Sequence, residues 1–367
     1  MTAVEPSIDL ERIVRLDEFE DLARRRIDPA VFDYVAGGAW DEQSVGEAVE
    51  AWRRRRLRPR VLVDVGHVDP STTLAGQPAT LPLGIAPMAA HGLLHPEAEL
   101  ATARAAAVAG IPFTLSTMSS ASIEEVAAAA PDGVRWFQLY AQADPRRSRR
   151  LVERAAAAGY SAILLTVDLP VLGYRERDLR SGFNLAVPHG NFAEETGPDH
   201  ASHASGGDGG YRIIESDLDQ GLTWRDLPTI RSWTSVPVFL KGIVTAEDAR
   251  LAVEHGVAGI VVSNHGARQL DRVVASADAL EEVVGAVDGR AEVWVDGGIR
   301  RGLDVVTAVA LGARGVLVGR PILWALATGG QGGVERALTI LRTETVIAMT
   351  LLGAPTAADL VRAHVAG

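Results

Sequence analysis

Hydrophobic positions in this chain gather into short runs, each closed by a polar or glycine-rich stretch. Eight such runs follow one another: Leu81–Pro87, Phe113–Thr117, Trp136–Tyr140, Ala162–Asp168, Val236–Gly242, Gly259–His265, Glu292–Gly298 and Gly315–Arg320. Runs of this length, continuous rather than alternating and rich in β-branched residues, predict strands buried on both faces. Between them lie alanine-rich segments of helical period, at Pro96–Ala109, Ser122–Ala130, Arg146–Ala158, Ala246–His255, Ser276–Val287 and Gly302–Leu311. Eight strands alternating with helices predict an α/β fold of the (β/α)8 barrel type. A doubly wound open sheet is the runner-up, disfavoured because no break in strand order shows.

Successive strand midpoints lie about 22 to 33 residues apart, except that Leu165 to Phe239 spans 74. The excess predicts a long polar loop after strand four, over 185–222, which would sit on the catalytic face as a candidate lid. A single domain over 1–367 is expected, with a helical preface over 1–80 and the barrel over 81–353. Leu16–Arg25 and Asp28–Val35 are the clearest helices of the preface.

Composition narrows the classes. The chain has 367 residues, 47% of them hydrophobic, and Lys+Arg 36 against Asp+Glu 47 gives a net charge of −11. That balance disfavours nucleic acid or an anionic membrane as the main partner. The basic run Arg53–Arg56 is read as a solvated helix end or a contact to another subunit. No cysteine is present, which excludes disulfides, thiolate catalysis and Cys-ligated metal. The longest apolar run, Ala105–Leu115, has 11 residues, too short to span a bilayer. Met1–Leu10 carries Glu5 and Asp9 and is not expected to be a signal peptide. A cytoplasmic location is the expectation.

In a barrel, residues at the C-terminal ends of strands share one mouth. Those ends are Pro87-Met88-Ala89, Ser116, Gln138 with Tyr140, Thr166 with Asp168, Lys241, Ser263 with His265, Asp296-Gly297-Gly298 and Gly319-Arg320. Strands seven and eight end in Gly plus Arg (Asp296–Arg300 and Gly319-Arg320). Bare glycine amides and fork-shaped guanidiniums there predict a phosphate seat. No Walker loop or strand-linked GxGxxG exists, which disfavours a nucleoside triphosphate or a Rossmann-bound dinucleotide. His265, at a strand end, is followed three residues later by Arg268, a spacing that can set a base beside a carboxylate clamp. The other eight histidines read as structural, and His200-x-x-His203 lacks a carboxylate to complete a metal site; no metal is expected.

The motifs SNHGARQL (Ser263–Leu270), LKG around Lys241, VDGGIRRG from Val295, VGRP from Val318, FQLY from Phe137 and TVDLPVLGYRERD from Thr166 resemble the FMN-dependent α-hydroxy acid oxidase/dehydrogenase family. The likeness runs from about Asp17 to about Leu352. APMAAHGLLHP (Ala86–Pro96) and the HGAR form resemble its lactate- and hydroxymandelate-oxidising branches. The resemblance implies FMN as cofactor and oxidation of an (S)-2-hydroxy acid to the 2-oxo acid. It makes His265 the catalytic base, Asp168 its orienting carboxylate, and Lys241 the cation that stabilises the reduced flavin. Arg175 and Arg268 become the substrate carboxylate binders, with Tyr34 and Tyr140 hydrogen-bonding around the reacting carbon. Pro87, Met88, Ala89, Ser116, Gln138, Thr166 and Lys241 fall around the flavin ring. Ser263, Asp296, Gly298, Arg300, Gly319 and Arg320 fall on the ribityl and phosphate site. A homo-oligomer, tetramer or octamer, is implied as well.

One departure from the family stands at Met118, where Trp or Tyr is frequent. A flexible thioether there predicts a roomier, more apolar pocket, for substrates from lactate-like to mandelate-like. Tyr211 lies near where lactate oxidases carry a lid tyrosine. Two functions compete within the resemblance: an oxidase returning electrons to oxygen as hydrogen peroxide, and a soluble dehydrogenase using a quinone or carrier protein. The membrane-bound relatives carry an apolar insertion after strand four that this chain lacks, which favours the oxidase. An FMN-binding protein without turnover is a third reading, opposed by the presence of His265, Asp168, Arg268 and Lys241.

Overall fold

The computed structural model describes residues 8–183, 189–193 and 217–366. Three helices come first: α1 (Leu16–Arg24), α2 (Pro29–Ala36) and α3 (Gln43–Arg53). Asp28 starts α2 by accepting the amides of Ala30 and Val31, with Pro29 preset for the first turn. An antiparallel hairpin follows, β1 (Thr72–Leu74) and β2 (Gln77–Ala79). The preface is therefore helical only to Arg53; the segment after it, expected to be helical, carries this hairpin instead. Its eight residues, TTLAGQPA, are too few and too polar to announce strands. The basic run ends α3 at the surface, where Arg54 and Arg55 pair with Asp278 at 2.8 and 2.6 Å.

Eight strands then close a parallel barrel: β3 (Leu83–Ile85), β4 (Phe113–Leu115), β5 (Arg135–Leu139), β6 (Ala162–Thr166), β7 (Val238–Ile243), β8 (Gly259–Val262), β9 (Glu292–Asp296) and β10 (Gly315–Val318). Each pairs with the next and β10 returns to β3. The sheet is the predicted (β/α)8 barrel. Gln138, Thr166, Lys241 and Asp296 lie in β5, β6, β7 and β9 near their C-terminal ends, and the other polar ends follow in the loops just above the barrel. The connecting helices are α4 (Ala98–Ala109), α5 (Ile123–Ala129), α6 (Pro145–Ala157), α7 (Glu176–Ser181), α8 (Leu227–Ser232), α9 (Ala246–Glu254), α10 (Ser276–Val287), α11 (Gly302–Ala310) and α12 (Arg320–Leu352). Most of the predicted 185–222 loop, with Tyr211, His200 and His203, lies outside the described residues.

Helix α12 was not legible in the sequence. Its 33 residues run through Gly329-Gly330 and Gly332-Gly333, which read as breaks. The chain bends at Gly329 and Gly330, which alone are non-helical, and continues against α1, α4 and α11.

Two hydrophobic layers hold the fold. The outer one lies between strands and helices. The inner one fills the barrel with Trp136, Leu164, Phe239, Val261, Trp294 and Leu317. Trp136 meets Trp294 edge-on at 4.8 Å and stacks on Phe239 at 6.2 Å, geometries that favour aromatic pairs. Leu74 and Ala79 of the hairpin join this inner layer and cap its N-terminal end. The floor is thus sealed, and the polar loops crown the opposite end.

Candidate active site

A cavity opens at the C-terminal ends of the strands. Of the residues singled out from the sequence, Tyr34, Pro87, Met88, Ala89, Ser116, Met118, Gln138, Tyr140, Thr166, Arg175, Lys241, His265, Arg268, Asp296, Gly298, Arg300, Gly319 and Arg320 line it.

Two do not. Asp168 sits behind His265 and reaches the cavity only through it: His265 Nδ1 and Asp168 Oδ1 are 2.9 Å apart. Ser263 lies beneath the wall, its Oγ accepting from Lys241 Nζ at 2.9 Å and from the His265 amide at 3.0 Å. Both accepted bonds leave the Ser263 O–H free to donate.

The backbone after β8 explains the aim of His265. His265, Gly266 and Ala267 take φ of 59°, 62° and 63°. Consecutive left-handed residues, two of them not glycine, cost of order 1–2 kcal/mol each. Asn264 compensates by accepting the Ala267 amide through its backbone O at 3.0 Å and its side-chain Oδ1 at 3.2 Å.

The His265–Asp168 pair has a defined electrical state. Burial lowers the His265 pKa below the ordinary histidine value, with Lys241 and Arg175 adding to the effect and Asp168 opposing it. Burial alone would raise Asp168, but the facing His265 and Lys241 outweigh it and hold the carboxyl below its usual value. The ring is therefore neutral at neutral pH, and the network assigns its proton to Nδ1, facing the carboxylate. Nε2 keeps its lone pair and meets Tyr140 Oη at 3.3 Å. Burial raises the Tyr140 phenol, so it stays a neutral donor. Lys241 lies 3.2 Å from Asp296. Burial disfavours its charge, but Asp296 and Asp168 more than restore it.

The opposite wall is an anion cradle. Gly297 and Gly298 turn at φ 88° and 78°. A Cβ on Gly298 would lie 2.0 Å from the Ala48 carbonyl, so α3 packs directly on this turn, and Trp52 Nε1 donates to Gly297 O at 2.8 Å. Gly319 caps the start of α12. Arg300 and Arg320 have no carboxylate partner among the described residues. Arg320 donates only to Val35 O and Gly37 O, both at 2.8 Å. Burial first, then Arg268, Arg300 and Arg175, push its pKa down to about 9. It remains charged at neutral pH, so the wall holds buried positive charge that lacks an anion. Arg268 is bound in the same way, to the carbonyls of Tyr34 and Gly37, under the Tyr34 ring at 4.8 Å.

A third set lies between. Gln138 Oε1 accepts from Ser116 Oγ and the Thr117 amide, both at 3.2 Å, and its Nε2 donates to Thr166 Oγ1 at 3.0 Å. Such a shelf of fixed donors and acceptors suits a flat heteroaromatic edge. Sequence reasoning missed the apolar lining: Leu169, Leu172, Phe183 and Ile299. Phe183 stacks on Tyr34 at 4.6 Å. Apolar residues in loops carry no chemical mark that a sequence could reveal.

The family model for FMN-dependent dehydrogenases matches residues 23–367. An L-lactate oxidase of Nostoc sp. is 48% identical over 352 residues, covering 95% of this chain and 96% of that protein. The glycolate oxidase of Spinacia oleracea is 45% identical, with 96% of each chain covered. A crystal structure of mandelate oxidase with (S)-4-hydroxymandelic acid superposes with a TM-score of 0.91 at 44% identity, over 96% of this chain and 98% of that one. Matched along nearly its whole length, and with the cradle and shelf in place for such a cofactor, the chain belongs to the FMN-dependent dehydrogenase family.

Proposed function

We propose that this protein oxidises (S)-2-hydroxy acids to 2-oxo acids and returns the electrons to dioxygen. Hydroxy acid and oxygen give oxo acid and hydrogen peroxide. The carrying observation is the neutral, carboxylate-backed His265 beside Arg175 and Arg268, in a cavity whose far wall is built for an anion. The relatives are named as oxidases of lactate, glycolate and mandelate, all 2-hydroxy acids.

FMN fits the remaining residues. Arg300, Arg320 and the amides at Gly298 and Gly319 would hold its phosphate. Ser116, Gln138, Thr166 and Lys241 would hold its ring. Bound FMN supplies the two-electron acceptor that no side chain of this cysteine-free chain offers.

The chain does the rest. Arg175 and Arg268 bind the substrate carboxylate and fix its orientation. Asp168 holds the His265 Nδ1–H, so Nε2 takes up one of the two protons released by the oxidation. A substrate that displaces Tyr140 from Nε2 leaves the phenol free to donate to a substrate oxygen. Lys241 brings positive charge to where negative charge develops. Met118, Leu169, Leu172 and Phe183 exclude water and set an apolar wall. That wall suits side chains from lactate-like to mandelate-like. Asp168 raises the proton affinity of His265 as the reaction needs it, while burial keeps the site open to a proton at rest. The protein is further read as a cytoplasmic homo-oligomer, a tetramer or octamer, which light scattering on the purified protein measures directly.

The test is a panel from glycolate to (S)-mandelate. We expect anaerobic bleaching of the FMN-loaded protein by these acids, and one hydrogen peroxide per acid oxidised in air. No bleaching by any acid on the panel overturns the reading. Bleaching with dye reduction but no peroxide would replace oxygen by another acceptor.

A further inference from the structure

The short segment His189–Ala193 docks on the loop that carries Met118. Its centre is Asn191, a buried side chain in the 3-10 turn Gly190–Phe192. Asn191 Nδ2 donates to Ser116 O at 3.2 Å, Thr117 O at 3.0 Å and Ser119 Oγ at 3.0 Å. Its Oδ1 accepts the amide of Ile123, the first residue of α5, at 3.0 Å. The acceptors fall on both sides of Met118. The Gly190 amide adds a bond to Ser119 O at 3.0 Å, and the half-buried His189 ring faces the Met118 backbone. The seat is tight: a Cβ on Gly190 would lie 2.4 Å from the Ala121 carbonyl carbon. From outside, Arg154 donates to Asn191 O at 2.8 Å.

Among the described residues, the cluster meets the cavity at the wall formed by Ser116 and Met118. A primary amide is the one side-chain group that donates to two carbonyls and accepts an amide at once. We propose that Asn191 is a positioning residue for substrate specificity: it fixes the Met118 loop and thereby sets the size of side chain the pocket accepts. The inference rests on reading the cavity as a 2-hydroxy acid site.

Asn191→Asp keeps the shape and the acceptor for Ile123 but turns a carboxylate oxygen toward two backbone carbonyls. Gly190→Ala displaces the same segment without altering its donors. Both are expected to leave FMN content unchanged and to lower kcat/KM for (S)-mandelate about 10-fold more than for glycolate, the scale on which a pocket wall discriminates. Hydrogen exchange of the Ser119 and Ala121 amides should rise in both variants, measured on the FMN-loaded protein. Equal effects on the two acids, or unchanged exchange in a folded Asn191→Asp protein, overturn the proposal. If the wild-type protein bleaches with no hydroxy acid, the reading of the site falls. The exchange measurement still decides, in that case, whether Asn191 holds the loop.

Discussion

His265 is held in a left-handed backbone conformation by Asn264 below it and Asp168 behind it, so one nitrogen faces a carboxylate and the other the cavity. Its state sets the pH response. A base must be neutral to act, and burial places the His265 pKa below the ordinary value of 6.5. Activity should therefore be lost as pH falls through a value lower than that, and stay flat above it until another group titrates. The acid limb of kcat/KM against pH measures this; a limb above 6.5 contradicts the assignment. Removing the ring tests the role directly. His265→Ala should retain FMN, since the cradle residues are elsewhere, and lose about 10²–10⁴-fold in the rate of flavin reduction, the usual range for a general base. Rapid mixing of variant and acid without oxygen gives that rate.

At the scale of elements, the strands were legible because parallel strands packed on both faces leave continuous apolar runs. The connecting helices α4, α5, α6, α9, α10 and α11 showed through their period, whereas α7 and α8, of six residues each, are too short to show one. What stayed hidden has a physical cause in each case. The hairpin Thr72–Ala79 is short and half polar. Helix α12 owes its continuity across Gly329–Gly333 to packing on α1, α4 and α11, which no local signal carries. At the site, polar strand ends identified the mouth, but the sequence did not separate Asp168 and Ser263, which act from behind the wall, from residues on it. Asn191 was invisible, because its meaning lies in a distant loop. The docking of α3 on the Gly298 turn gives a further test. Gly298→Ala places a methyl against the Ala48 carbonyl in a backbone region that disfavours any side chain. We expect lost FMN affinity together with a lower melting temperature, read by flavin release and by thermal unfolding. Met118→Trp acts instead within the pocket, and steady-state kinetics should show (S)-mandelate impaired more than glycolate.

At the scale of the molecule, a chain of net charge −11 surrounds a cavity lined by Arg175, Lys241, Arg268, Arg300 and Arg320 against only Asp178 and Asp296. Buried like charges make the empty cavity costly and the filled one stable. At a hundredfold excess over its Kd, FMN should add about 2.7 kcal/mol. Inorganic phosphate should recover part of that rise in melting temperature, and melts with either ligand check it. The opposite pole obeys another logic. Trp136 lies in the sealed floor with no hydrogen-bond partner for its indole N–H among the described residues. An unpaired buried donor costs about 1–3 kcal/mol, which offsets much of the volume lost on trimming the ring. Trp136→Phe is thus expected to cost far less than the usual loss of a core tryptophan and to leave turnover untouched. The two poles of this barrel are separate fields for an engineer or for evolution: one can be hardened against heat while the other is retuned for a new acid.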